Sequence, residues 1–171
     1  MTTHQLLILR HAKSDWAGDL DDFSRPLSNR GSNDAPRIGQ WLVLNKFEPD
    51  LIISSPALRA KQTAQTISQA LGTADDKLIF DKRLYLADLQ NLLNVIGQCN
   101  ESVSRLLITG HNPGLETLLK YLCTDQLPLT DDGKLLTTAN LAIVSLSLPW
   151  NNDLQGNGEL MQLIRPRDLD I

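Results

Sequence analysis

Cysteine and long apolar runs are scarce in this chain, and each scarcity removes a class of protein. Cys99 and Cys123 are the only two cysteines among 171 residues. Two thiols this far apart make neither a disulfide framework nor a C-x-x-C metal or redox site, so a reducing, cytoplasmic setting is expected. No stretch approaches the roughly 18 consecutive apolar residues of a membrane span. The apolar run in MTTHQLLILRH is too short for a signal peptide, and Arg10-His11 follows where a cleavage site needs small residues. Strong charge of one sign is missing too. The net charge is −4 and the pI near 5.3, with no lysine or arginine run, which argues against a nucleic-acid face.

What is present suits a single globular domain over residues 1–171, since 42% of residues are hydrophobic and 21% charged. QLLIL reads as a buried strand of the parallel kind, followed by a polar loop over residues 10–27. A helix is expected from Ser28 or Asn33 to Lys46, with Ile38, Trp41, Leu42 and Phe47 on its apolar side. Gly31 and Pro36 leave its first turns open. DLIISS is a second strand, and ALRAKQTAQTISQAL a helix stopped by Gly72. KLIF, SRLLITG, ANLAIVSLSL and GELMQLIR read as further strands, the last two as a hairpin. LQNLLNVIGQC and NPGLETLLKYLC read as helices. The alternation predicts an α/β fold of three layers, α/β/α, around a mostly parallel sheet.

In open α/β sheets ligands bind beyond the carboxyl ends of the strands. Arg10 and His11 end the first strand, Ser54, Ser55 and Arg59 follow the second, and Thr109, Gly110 and His111 end the SRLLITG strand. Two arginines and two histidines would thus meet on one rim. Guanidinium forks match phosphate oxygens in bidentate pairs, and the amino ends of the helices after SSPALR and GHNPG would add backbone N–H donors. The arginines would also disfavour imidazolium and leave a histidine nitrogen free to attack phosphorus.

Other readings compete at several positions. CNESVSR fits C-x5-R, but a cysteine phosphatase loop runs from strand to helix, and here a helix precedes and a strand follows; Glu101 would also repel an anion. QGNG lacks the context of a dinucleotide site. A metal held by His11, His111 and Asp15 would be repelled by the adjacent arginines. His4 reads as an exposed terminal residue, Trp41 as a packing residue, Trp16, in the site loop, as a packing residue or a substrate platform, and DLDDF, residues 19–23, as a solvated acidic loop. A functional reading would have that loop select basic partner surfaces.

LLILRHAKS, RPLSNRG, IISSPALRAKQTA and ITGHNPGLE, in this order between residue 6 and about residue 120, resemble the histidine phosphatase superfamily. The chain is most similar to its small phosphohistidine phosphatase branch, the SixA-like proteins, and the implied fold is phosphoglycerate mutase-like. The resemblance makes His11 the nucleophile and Arg10, Arg59 and His111 the rest of the phosphate pocket, with no cofactor and no metal. It adds Arg25 as a pocket-shaping residue, and Asn112 and Tyr85 as further candidates for contact with phosphate or substrate. Ala12 replaces the glycine of the common R-H-G signature. Where larger members carry a carboxylic acid, this chain has Tyr85, with Asp88 the nearest carboxyl. A missing acid favours N–P substrates such as phosphohistidine on a phosphorylated protein, because an alkoxide leaves poorly without a proton. The spacing between Leu71 and Ser104 leaves little room for a cap, so the site should be open. A binding module for phosphoproteins, a small-molecule phosphatase and a mutase are the alternatives.

Overall fold

The computed structural model describes residues 3–171. Its centre is a six-stranded sheet of β1 (His4–Arg10), β2 (Leu51–Ser54), β3 (Leu78–Phe80), β4 (Arg105–Gly110), β5 (Leu141–Leu146) and β6 (Gly158–Ile164). The strand order is β3-β2-β4-β1-β5-β6. The β1/β4, β2/β4 and β2/β3 pairs are parallel, whereas β5 runs antiparallel to both neighbours. The fold is the expected mostly parallel α/β architecture, closed by the expected hairpin.

The continuous apolar run of β1 has two faces to fill. Leu6 and Ile8 join a cluster with Leu92, Val95 and Ile96 of α3 (Leu89–Gly97) and Leu115, Leu118 and Leu119 of α4 (Gly114–Leu122). Leu7 and Leu9 point the other way, to Ile38 and Leu42 of α1 (Asn29–Leu44) and Ala64 and Ile67 of α2 (Leu58–Leu71). A strand covered on both sides has no polar positions to alternate with. Burying each such leucine contributes roughly 1.5–3 kcal/mol, which fixes the sheet as a rigid platform.

Helix α1 starts at the earlier of the two expected places. The Ser28 hydroxyl accepts from the Gly31 amide at 3.2 Å and donates to the Lys13 carbonyl at 3.0 Å, so the cap also ties the helix to the loop after β1. Gly31 packs so closely that a Cβ there would lie 2.1 Å from the Lys13 carbonyl oxygen. Pro36 stays within the helix because it and Ser32, whose carbonyl loses a donor, both face solvent. The helix ends at Leu44, two residues before the expected Lys46. Trp41 packs as expected, stacked on Phe47 at 5.6 Å between ring centroids. Gly72 caps α2 in the left-handed conformation with φ 62°.

The expectation for His4 is overturned. It is 5% exposed and packs edge-on against Trp150 at 4.8 Å between ring centroids. Strand β5 extends far enough to pair Leu146 with His4, which draws the chain's start into the sheet. Among the described residues, no helix is long and apolar enough to cross a membrane.

Candidate active site

Strand register builds the site. Arg10 lies opposite Gly110 and Ser54 opposite Thr109, so β1, β4 and β2 end side by side. The next residues of each chain turn off this edge together: the His11 amide donates to the Gly110 carbonyl, and the Ser55 amide to that of Thr109. Thr63 locks helix α2 to the same edge. Its hydroxyl accepts from the Ala12 amide at 3.0 Å and donates to the Arg59 carbonyl at 2.7 Å. The blocks RHA and LRAKQT are thus one unit.

At the base of a cleft of about 250 Å³, four of the expected residues converge: Arg10, His11, Arg59 and His111. His11, His111 and Arg59 are buried, with Arg59 only 2% exposed. The His11 ring lies 5.1 Å from that of His111. Nδ1 of His11 donates to the Ala12 carbonyl at 2.8 Å, which leaves Nε2 as the lone-pair nitrogen, and it accepts from Arg59 Nε at 3.3 Å. His111 is fixed the other way round: Nε2 is 2.8 Å from Ser55 Oγ, and Nδ1 accepts from Arg59 Nη2 at 3.3 Å. One guanidinium therefore addresses both imidazoles. Such a donor pattern assigns the tautomers.

Both histidines are held neutral. Burial is the largest cause of the fall in His11 pKa from 6.5 to about 4, followed by the positive charges of Arg59, Arg10 and Arg25. Arg10, the sequence neighbour, ranks below Arg59, because distance in space sets a Coulomb interaction. His111 falls to about 3, again chiefly through burial, then through His11 and Arg59. Burial also lowers the Arg10 pKa, partly offset by Glu116.

Arg10 is oriented from behind. Its Nη1 donates to the Leu136 carbonyl at 2.9 Å, while the Leu136 amide donates to Glu116 Oε1 at 2.8 Å. Asn112, an expected phosphate contact, has its amide nitrogen engaged within this brace, at 2.8 Å from the Leu136 carbonyl and 3.1 Å from Glu116. It lines the cleft, yet its N–H donors serve the protein. Glu116 was missed in the sequence, although its place one helical turn after Asn112 is a usable signal. Gly114 lets α4 approach the other wall, where a Cβ would sit 2.0 Å from the Ala87 carbonyl oxygen.

The mouth of the cleft differs from expectation. The acidic segment 19–23 is not simply solvated, since Asp22 reaches into the cleft and accepts from three donors. Arg25 Nη2 meets Oδ1 at 2.8 Å; Arg59 Nη2 and the Tyr85 hydroxyl meet Oδ2 at 3.0 and 2.7 Å. The missed signal is D-x-x-R before Pro26. Arg25 is 8% exposed, bonded to Ser14 Oγ at 3.0 Å, and lies 3.5 Å from the Trp16 ring centroid. Trp16 is not a packed core residue: 70% exposed, it lines the cleft and covers Arg25. Tyr85 stands edge-on to His111 at 5.5 Å between ring centroids. Asp88 caps α3 by accepting from the Asn91 amide at 2.9 Å.

At the amino end of α2 two donors are spent within the protein: Leu58 N donates to the Phe23 carbonyl and Ala57 N to Ser55 Oγ. The loop that carries Asp22 occupies that helix end. Among the described residues, no group of three or more His, Cys, Asp or Glu side chains is placed to hold a metal ion.

The same arrangement has relatives. Residues 6–88 match the model of the histidine phosphatase superfamily (branch 1). The phosphohistidine phosphatase SixA of Escherichia coli (strain K12) is 29% identical over 170 residues, which cover 98% of this chain and 97% of that protein. A structure of the protein histidine phosphatase SixA complexed with tungstate superimposes with a TM-score of 0.79 at 26% identity, covering 96% of this chain and 98% of the other. By this match and these likenesses the chain is similar to the histidine phosphatases of the SixA type. A SixA-type structure from Agrobacterium tumefaciens agrees, with a TM-score of 0.76 at 26% identity over 95% of this chain and 98% of its own. The shared fold is phosphoglycerate mutase-like, and its sheet runs in the order β3-β2-β4-β1-β5-β6.

Proposed function

We propose that the chain is a metal-independent phosphatase that removes phosphoryl groups from phosphohistidine on a protein, through a phosphohistidine intermediate on His11. The observation that carries this reading is the His11 ring itself. Its Nδ1–H is anchored on the Ala12 carbonyl and its Nε2 lone pair faces the cleft beside Arg59. A neutral, oriented imidazole is a competent nucleophile near neutral pH.

In the first step Nε2 attacks phosphorus in line with the leaving group. Arg59, Arg10 and His111 surround the three equatorial oxygens and meet the charge of the transition state, supported by Arg25. A neutral His111 can turn its Nε2–H from Ser55 toward an oxygen. Water then attacks the phosphorylated His11 from the open side and releases phosphate. The positive charge that a metal supplies elsewhere comes here from guanidinium groups. A cleft of about 250 Å³ takes a phosphoryl group and a ring, leaving the bearer of that ring outside, as a protein substrate requires.

The test is intact mass after mixing the protein with free phosphohistidine in EDTA, quenched in alkali, for wild type and His11→Asn. An acid-labile phosphoryl adduct in the wild type alone supports the reading. Tight binding of phosphate without adduct or turnover would make the chain a phosphoprotein-binding module instead.

A further inference from the structure

The cleft contains one carboxylate among its described lining residues, and the reaction just described leaves it without a task. Asp22 shares the cleft with Arg10, His11, Lys13, Arg25, Arg59 and His111, all basic side chains. Its position along the reaction axis is defined by burial. His11 lies at the base, 7% exposed, whereas the Asp22 side chain is 44% exposed at the mouth. In-line attack puts the leaving group on the side of phosphorus away from His11, which is the mouth. The Arg59 guanidinium touches both His11 Nε2 and Asp22 Oδ2, so one phosphoryl group can lie beside both.

A carboxylate offers about four acceptor sites. Three are taken, two of them on Oδ2, by Tyr85 and Arg59, and one on Oδ1, by Arg25. An acceptor position on Oδ1 remains. The Tyr85 hydrogen bond, then Arg59 and Arg25, hold the Asp22 carboxyl far below the usual carboxylate range, so it carries no proton to donate. An anion at this place does nothing for a departing alkoxide, which needs a proton, and repels its developing charge. It suits a substrate whose ring, before departure, is a cation with an N–H.

The geometry points to Asp22 as the acceptor for the ring N–H of a protonated phosphoimidazole, and thereby as the residue that selects N–P over O–P substrates. This rests on the phosphatase reading above. As the bond from His11 Nε2 to phosphorus forms, the P–N bond breaks and its electron pair returns to the substrate ring nitrogen. The proton already on the far ring nitrogen stays there, so the ring departs as neutral imidazole and no proton is transferred. Asp22 raises the fraction of substrate that carries that proton. Tyr85 donates to Oδ2, but Arg59 and Arg25 still hold the carboxylate ionised and in place without it.

The experiment compares kcat/KM for free phosphohistidine with that for p-nitrophenyl phosphate, whose phenolate leaves without a proton. The readout is the ratio of the two. In Asp22→Asn the ratio falls by about ten-fold or more, because only the imidazole donor loses a partner. In Tyr85→Phe, which keeps the carboxylate, it stays within about two-fold. Asp22→Ser, read the same way, covers disturbance of the loop by the amide. A ratio unchanged in both Asp22 variants, with the two rates falling together, reduces Asp22 to a brace for Arg59 and overturns the proposal. Failure of the wild type to release phosphate from either donor overturns the phosphatase reading itself, and this role with it.

Discussion

The base and the mouth of the cleft are built on different principles. The base is made of His11 and His111 just past strand ends and Arg59 in the first turn of α2, each 7% exposed or less and each held by a backbone carbonyl, a hydroxyl or a neighbouring ring. The mouth is made of a loop, residues 15–24, and the turn at Tyr85 and Leu86, with Trp16 70% and Leu86 57% exposed. Burial at the base suppresses charge on the imidazoles and fixes one attacking nitrogen. At the mouth the hydrogen bond from Tyr85, then those from Arg59 and Arg25, keep a carboxylate ionised, and partial exposure leaves room around it. On the proposed mechanism, chemistry is set at the base and selection at the mouth.

If that division holds, base substitutions should cost most. His11→Ala should lower kcat by at least about 10³-fold, with phosphate binding by calorimetry partly retained. Arg59→Ala should weaken phosphate binding and lower kcat together, by roughly 10²- to 10³-fold in kcat, because its guanidinium serves both rings and the phosphoryl group. A larger loss from Trp16→Ala than from Arg59→Ala would break the comparison.

The brace behind Arg10 gives an intermediate effect. Glu116→Ala should raise KM by about ten-fold by releasing Leu136 and, through its carbonyl, Arg10. Glu116→Gln keeps an acceptor oxygen and should recover most of that loss, which simple destabilisation of α4 would not.

The pH profile tests the base alone. With the free-enzyme His11 pKa near 4, the acid limb of kcat/KM should fall near pH 4 rather than 6.5. Unfolding should show the same linkage. The unfolded chain binds protons on His11 and His111 below about pH 6.5 that the folded chain refuses until about 4 and 3, so stability declines as pH drops through that window. An acid limb at 6.5 would place His11 in contact with solvent.

The smallest effect belongs to the mouth. Leu86 is exposed and lies in the left-handed region with φ 47°, a conformation costing a non-glycine residue roughly 1–2 kcal/mol. Leu86→Gly should therefore leave Tm unchanged or raise it slightly, since glycine relieves the strain but loses more chain entropy on folding.

The base was legible because a buried strand announces itself as an apolar run, and the residue after it lies at a ligand edge in any parallel sheet. Arg10-His11, SSPALR and GHNPG could be placed on that edge before their contacts were known. Local patterns also carried Gly72 as a helix stop and the β5/β6 hairpin. Asn112 lines the cleft as expected, and its amide N–H groups are engaged with Leu136 and Glu116 because a short polar side chain at an edge can reach the protein as well as a ligand.

The sequence by itself determined the alternation of strands and helices, the sheet edge and the pairing of arginines with histidines, because periodicity and strand ends are local properties. Only the tertiary structure decided that His4 is buried, that Asp22 rather than solvent meets Arg25 and Arg59, and that Arg59 outranks Arg10 in lowering the His11 pKa. Those outcomes depend on which distant segments come within a few ångströms of one another, and through-space electrostatics and burial do not follow order along the chain.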